Sequence, residues 1–148
     1  MLVVFLWVYG AFALATLICA AACIWGGSAE RVAAATLWIA WTLTLIVQSQ
    51  DGKGPGIQVA VIDTVCLVIF IALSLKVRRL WTLLVAASQL DDVISHFFAQ
   101  AVHYSVWSYV VATGIWGGHL ILVCLVVATI AHQRRLKREA RLIDGIAS

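Results

Sequence analysis

Long apolar runs alternate with short polar breaks along this chain, and the lengths of the runs set the first expectation. Five runs stand out, at about Leu2 to Trp25, Val32 to Gln48, Ile57 to Leu75, Leu80 to Gln100 and Val106 to Ala131. Each is close to the roughly 20 residues an α-helix needs to cross a hydrocarbon core. The breaks carry turn chemistry. Gly26-Gly27-Ser28 ends the first run, and the stretch from Asp51 through Pro55 to Gly56 separates the second from the third. Lys76, Arg78 and Arg79 mark a tight polar turn before the fourth, and the last turn falls around His103 to Ser105. The pattern predicts an all-α, polytopic membrane bundle of about five transmembrane helices over residues 1–131, with a basic tail over residues 132–148.

Composition agrees. Of 148 residues, 64% are hydrophobic and 11% charged, against roughly 25% charged in an average soluble domain. So little charge would not solvate the surface of a small domain, so lipid is the expected solvent. The first run has no basic residue before it and is longer than a signal-peptide core, so it reads as a retained helix. No glycine-rich phosphate loop, CxxC pair or HExxH occurs. No nucleophile sits beside a base, and no catalytic residue is assigned. Cys19, Cys23, Cys66 and Cys124 all lie in apolar runs and read as small apolar filler.

Charge orients the bundle. If the runs alternate in direction, Arg31, Lys76, Arg78, Arg79, Arg134, Arg135, Lys137, Arg138 and Arg141 share one side, leaving only Lys53 opposite. The positive-inside rule then puts the N-terminus outside and the tail in the cytoplasm of a bacterial inner membrane. In the tail, Leu136, Ala140 and Ile143 recur at helical spacing opposite Arg134, Arg135, Lys137, Arg138 and Arg141, a lipid-headgroup anchor. Topology accounts for this charge without nucleic acid.

Packing signals follow. Gly114 and Gly118 form a small-xxx-small pair beside Gly117, and Ala11, Ala15, Cys19 and Cys23 form a ladder on the first helix. Such residues let helix backbones approach within the bundle or in a homo-oligomer. Trp7, Trp25, Trp81 and Trp107 fall at span ends as an interfacial belt, whereas Trp38, Trp41 and Trp116 are expected between helices.

The candidate chemistry is acidic. Asp63, Asp91 and Asp92 lie inside the third and fourth runs, which hold no lysine or arginine. A carboxylate in hydrocarbon is costly unless it is protonated, paired or facing water. In the fourth run Gln89, Asp92, His96, Gln100 and His103 form one helical stripe, and Ser88, Asp91 and Ser95 form a second about 100° away. Asp63, Asp92 and His119 each lie thirteen residues from the basic border of their helix, at a shared depth of roughly 20 Å. Asp92 is expected as the central carboxylate, paired with His96 one turn away. His119 is its second partner, Asp63 a further carboxylate, and Thr64 and Thr113 possible hydroxyl donors. Asp91 faces elsewhere on its helix and is expected to be protonated and bonded to Ser88 or Ser95.

Three functions fit this set. The lead is proton or cation handling by a channel, transporter or proton-relay subunit, with Asp63, Gln89, Asp91, Asp92, His96 and His119 as the site. The main rival is an accessory or scaffolding subunit of a larger membrane complex with no chemistry of its own. The third is a metal ion or haem held by His96, His103 or His119, for which no further signature accompanies the imidazoles. A lytic pore using the basic tail is more distant. The expected partners are the bilayer and either further copies of this chain or a membrane complex.

Overall fold

A computed structural model of the chain describes residues 2–51, 57–101 and 118–147. They form five α-helices: α1 Leu2–Trp25, α2 Ser28–Asp51, α3 Ile57–Val77, α4 Leu80–Ala101 and α5 Leu120–Ala147. A π-type turn at residues 118–119 leads into α5. No strand occurs among the described residues, so the all-α class holds. Expectations placed on His103, Trp107, Thr113, Gly114, Trp116 and Gly117 lie outside the described residues, as do the side chains of Trp7 and Gln100.

Two segments, Ser28–Val47 within α2 and Ile57–Val77, are long and apolar enough to cross a membrane, and Tyr9–Trp25 is a shorter apolar helix. Large apolar side chains point outward on every helix, among them Leu17, Ile39, Val68, Leu83 and Val127. Between the helices the residues are mostly small. Ala15, Cys19 and Ala22 of α1 join Ala29, Ala33, Ala34 and Ala40 of α2 in the core, with Phe70, Val85, Ile121 and Leu125 filling the wider spaces. Small contact residues with large outward ones reverse the soluble pattern and match helices that associate through close backbone approach. The expected α1 ladder is corrected at one end: the buried stripe passes from Cys19 to Ala22, and Cys23 is exposed. The 3.6-residue turn favours the i+3 step there.

Consecutive helices pack side by side, and α5 closes the ring against α1 and α4 while also touching α2. The turns explain the order. Arg31 N–H donates to Gly27 O at 3.0 Å, so α2 begins four residues before its apolar run, with Glu30 in its first turn, where the helix dipole favours an acid. A β-carbon on Gly26 would sit 2.4 Å from Ala22 O, which only glycine avoids. Arg78 closes α3 in the left-handed region at φ 52°, with its N–H on Ser74 O at 2.9 Å. Arg79 O then accepts from Thr82 N–H and its hydroxyl, starting α4. α5 runs unbroken through the border at residue 132, and residues 134–144 are all exposed, with Arg135 donating to Glu139 at 3.0 Å.

Trp38 and Trp41 part company. Trp38 is 41% exposed and donates to Thr16 Oγ1 at 3.2 Å, so it bridges α2 to α1 at the outer edge of their interface. Trp41 packs against the core, and a β-carbon on Gly118 would lie 2.8 Å from its Cζ2. Gly118→Ala is therefore expected to destabilise the bundle by about 1–3 kcal/mol through overpacking, read as a lower thermal midpoint in detergent. Adding Trp41→Phe should restore most of the loss, because the smaller ring vacates that position.

Candidate functional site

The α4 stripe faces α3. Gln89, Asp92 and His96 are all buried, at helical steps of three and four. Across the interface stands Asp63, whose side chain is 19% exposed. His96 Nε2–H donates to Asp63 Oδ2 at 2.7 Å. Gln89 Nε2–H donates to Asp63 Oδ1 at 3.2 Å and approaches the Asp63 main-chain oxygen at 3.4 Å. Both oxygens of one carboxylate thus receive a donor from a neighbouring helix.

This corrects the expected pairing. His96 turns its Nε2 to Asp63 rather than to Asp92, so the central carboxylate is Asp63. The reason is geometric: Asp92 and His96 stand on the same buried face of α4, and the imidazole tip reaches across to an acceptor instead of back along its own helix. Asp92 keeps a place in the cluster, between Gln89 and His96. Its Oδ1 is buried with no hydrogen-bond partner among the described residues. The contacts of Gln89 and His96 with Asp63 also bracket Asp92, so Asp63 and Asp92 do share a level.

His119 is half-buried within the π-type turn that leads into α5. Thr64 is exposed and donates to Ala60 O of its own helix at 2.7 Å, so it adds no hydroxyl to the cluster. Asp91 is exposed and faces away from α3, into a groove of about 330 Å³ lined by Leu84, Ala87, Ser88 and Leu120. Ser88 spends its proton on Leu84 O at 2.9 Å rather than on Asp91. Among the described residues, no three His, Cys, Asp or Glu side chains come together as a metal ion would require.

A second polar cluster, which the sequence reading passes over, lies at the end of the bundle where the α1–α2 and α3–α4 turns meet α5. Glu30 is 1% exposed and accepts from Arg79 Nη1 at 3.3 Å. A β-carbon on Gly27 would lie 2.9 Å from Glu30 Oε2 and 3.1 Å from His132 Cε1, so the glycine makes room for both. Arg31 Nε–H donates to Gly26 O at 3.1 Å, and the Gln133 amide donates to Trp25 O. The signal was in the turn order: Glu30 follows Gly26-Gly27 on the side expected to carry Lys76, Arg78 and Arg79. Arg134, Arg135, Lys137, Arg138 and Arg141 extend from this end, all exposed. No protein-family model, curated protein or solved structure matches the chain.

Proposed function

We propose that the chain is a multipass membrane protein of the bacterial inner membrane that moves protons or cations through the Asp63–Gln89–Asp92–His96 cluster between α3 and α4. One observation carries this reading: the half-buried Asp63 carboxylate accepts a bond at each oxygen and pairs with a buried imidazole at 2.7 Å, beside a buried Asp92 oxygen that has no partner among the described residues. Charge counting supports it. The cluster holds two carboxyls and one imidazole, and neither helix supplies a lysine or arginine between its basic border and its far end. With both acids ionised, even a charged imidazole leaves one negative charge, which a proton taken up by one of the acids, or a passing cation, would balance. In this scheme Gln89 and His96 hold Asp63 in place. Asp92 receives the mobile charge, and His96 relays protons between the two carboxyls.

Five spans with the N-terminus outside and the tail in the cytoplasm belong to the same reading. Its support is that Glu30–Arg79, Gly27–His132 and Gln133–Trp25 gather both turns and the basic stretch of α5 at one end. Alternating spans would produce that arrangement, and the positive-inside rule makes it the cytoplasmic end.

The test is flux into liposomes loaded with a pH-sensitive dye, run with and without sodium or potassium gradients. Asp92→Asn is expected to lower flux by about 10²-fold and to leave insertion and thermal midpoint unchanged, since Asp92 Oδ1 holds no bond to lose. Wild-type flux in that variant would sink the reading.

A further inference from the structure

We propose that the groove between α4 and α5 seats a transmembrane helix of a different protein, one that carries a lysine or arginine at mid-span opposite Asp91. The proposal rests on the membrane reading above and is independent of flux through the α3–α4 cluster. Asp91 points away from that cluster and is exposed, and no hydrogen bond reaches its carboxylate from the described residues. It lies twelve residues beyond Arg79, roughly 18 Å along α4 from the basic border. A headgroup amine does not reach that depth, and a carboxylate facing lipid there is costly without a partner.

The shape of the groove fits a helix. Leu84 and Leu120 line it together with the small residues Ala87 and Ser88, which let another backbone come close. Charge selects the occupant. A second copy docked on the same face would set Asp91 against Asp91, and the chain has no lysine or arginine within its apolar runs to offer instead. A basic side chain on a different protein removes the charge of Asp91 and its own in one contact, as opposed charges within a membrane do.

A labelled single-span polyleucine peptide with one mid-span lysine serves as the probe, with an all-leucine peptide as its control. Energy transfer to the labelled full-length chain in nanodiscs reports association. The lysine peptide is expected to bind about tenfold more tightly than the control. Asp91→Asn should erase the difference, and Asp92→Asn should keep it. Equal binding of the two peptides would overturn the proposal. So would a lysine preference that survives Asp91→Asn, or pairing of the chain with itself that Asp91→Asn disrupts. Because flux is read on Asp92 and docking on Asp91, failure of one reading leaves the other standing.

Discussion

Asp63→Asn is expected to abolish flux at modest cost in stability, whereas Asp63→Ala should lose both. The difference follows from what each substitution leaves behind. Alanine strips the carboxylate acceptors from His96 Nε2–H and the Gln89 amide at once, leaving Gln89 only the longer 3.4 Å approach to the main-chain oxygen of residue 63, and both donors are buried. A buried donor left without an acceptor costs about 1–3 kcal/mol. Interhelical hydrogen bonds in membrane proteins average nearer 0.6 kcal/mol, because the separated helices find other partners. Two lost bonds therefore bracket the expected loss at about 1–6 kcal/mol, and the burial of His96 argues against the lowest values. Asparagine keeps the shape and one acceptor oxygen, so it should retain one of the two bonds and about half of that stability. It cannot hold a negative charge, so flux should fall as far as with alanine, by about 10²-fold. Unfolding in mixed micelles gives the stability change, and dye-loaded liposomes give the flux. Asp63→Asn at wild-type flux would remove Asp63 from the transport site and reduce the pair with His96 to a structural bond. A double-mutant cycle with His96→Leu isolates the pair: its coupling should vanish once Asp63 is alanine.

How far this arrangement was legible depends on whether a property is local. The four helices α1 to α4 follow from apolar run lengths, two glycine-bearing breaks and one basic break, and their observed bounds depart from the runs by a few residues. The α4 stripe of Gln89, Asp92 and His96 was legible because steps of three and four fix a common face wherever the helix lies. The partner of His96 was not. It depends on how α3 is rotated against α4, and each residue added or lost in the turn rotates a helix by about 100°. That turn is closed by Arg78 in a left-handed conformation which the sequence does not advertise, since glycine is the usual choice. Adjacency along α4 thus suggested Asp92 for His96, while the fold supplied Asp63. The separation of Asp91 from Asp92 was legible for the same reason as the stripe, because successive residues on a helix point about 100° apart and Asp91 falls off the Gln89–Asp92–His96 stripe. Glu30 shows the opposite failure. Its position in a first turn has an ordinary local explanation in the helix dipole, and only the meeting of two distant turns reveals that it is buried against Arg79.

Arg79→Met is expected to destabilise the bundle more than Glu30→Gln, although both break the same 3.3 Å ion pair. The asymmetry lies in burial: Glu30 is 1% exposed and Arg79 42%. Without Glu30, the guanidinium still reaches water or lipid headgroups at the end of the bundle, and glutamine still offers an oxygen to it. That change should cost about 1 kcal/mol, near the value of one hydrogen bond. Without Arg79, a carboxylate stays enclosed between α2 and α4 with its charged partner gone. Stranding one member of a fully buried pair costs about 3–5 kcal/mol. Exposure of the arginine reduces the strength of the original pair, and the N-terminus of α2 still favours the acid by about 0.5 kcal/mol, so roughly 2–3 kcal/mol is expected here. The double variant Glu30→Gln/Arg79→Met should then be more stable than Arg79→Met alone, because the enclosed charge is gone. Thermal midpoints of the four proteins in one detergent decide the matter. Equal losses in the two single variants, or a double variant no better than Arg79→Met, would mean that Glu30 reaches solvent and that the turns are held by Gly27, His132 and Gln133 instead.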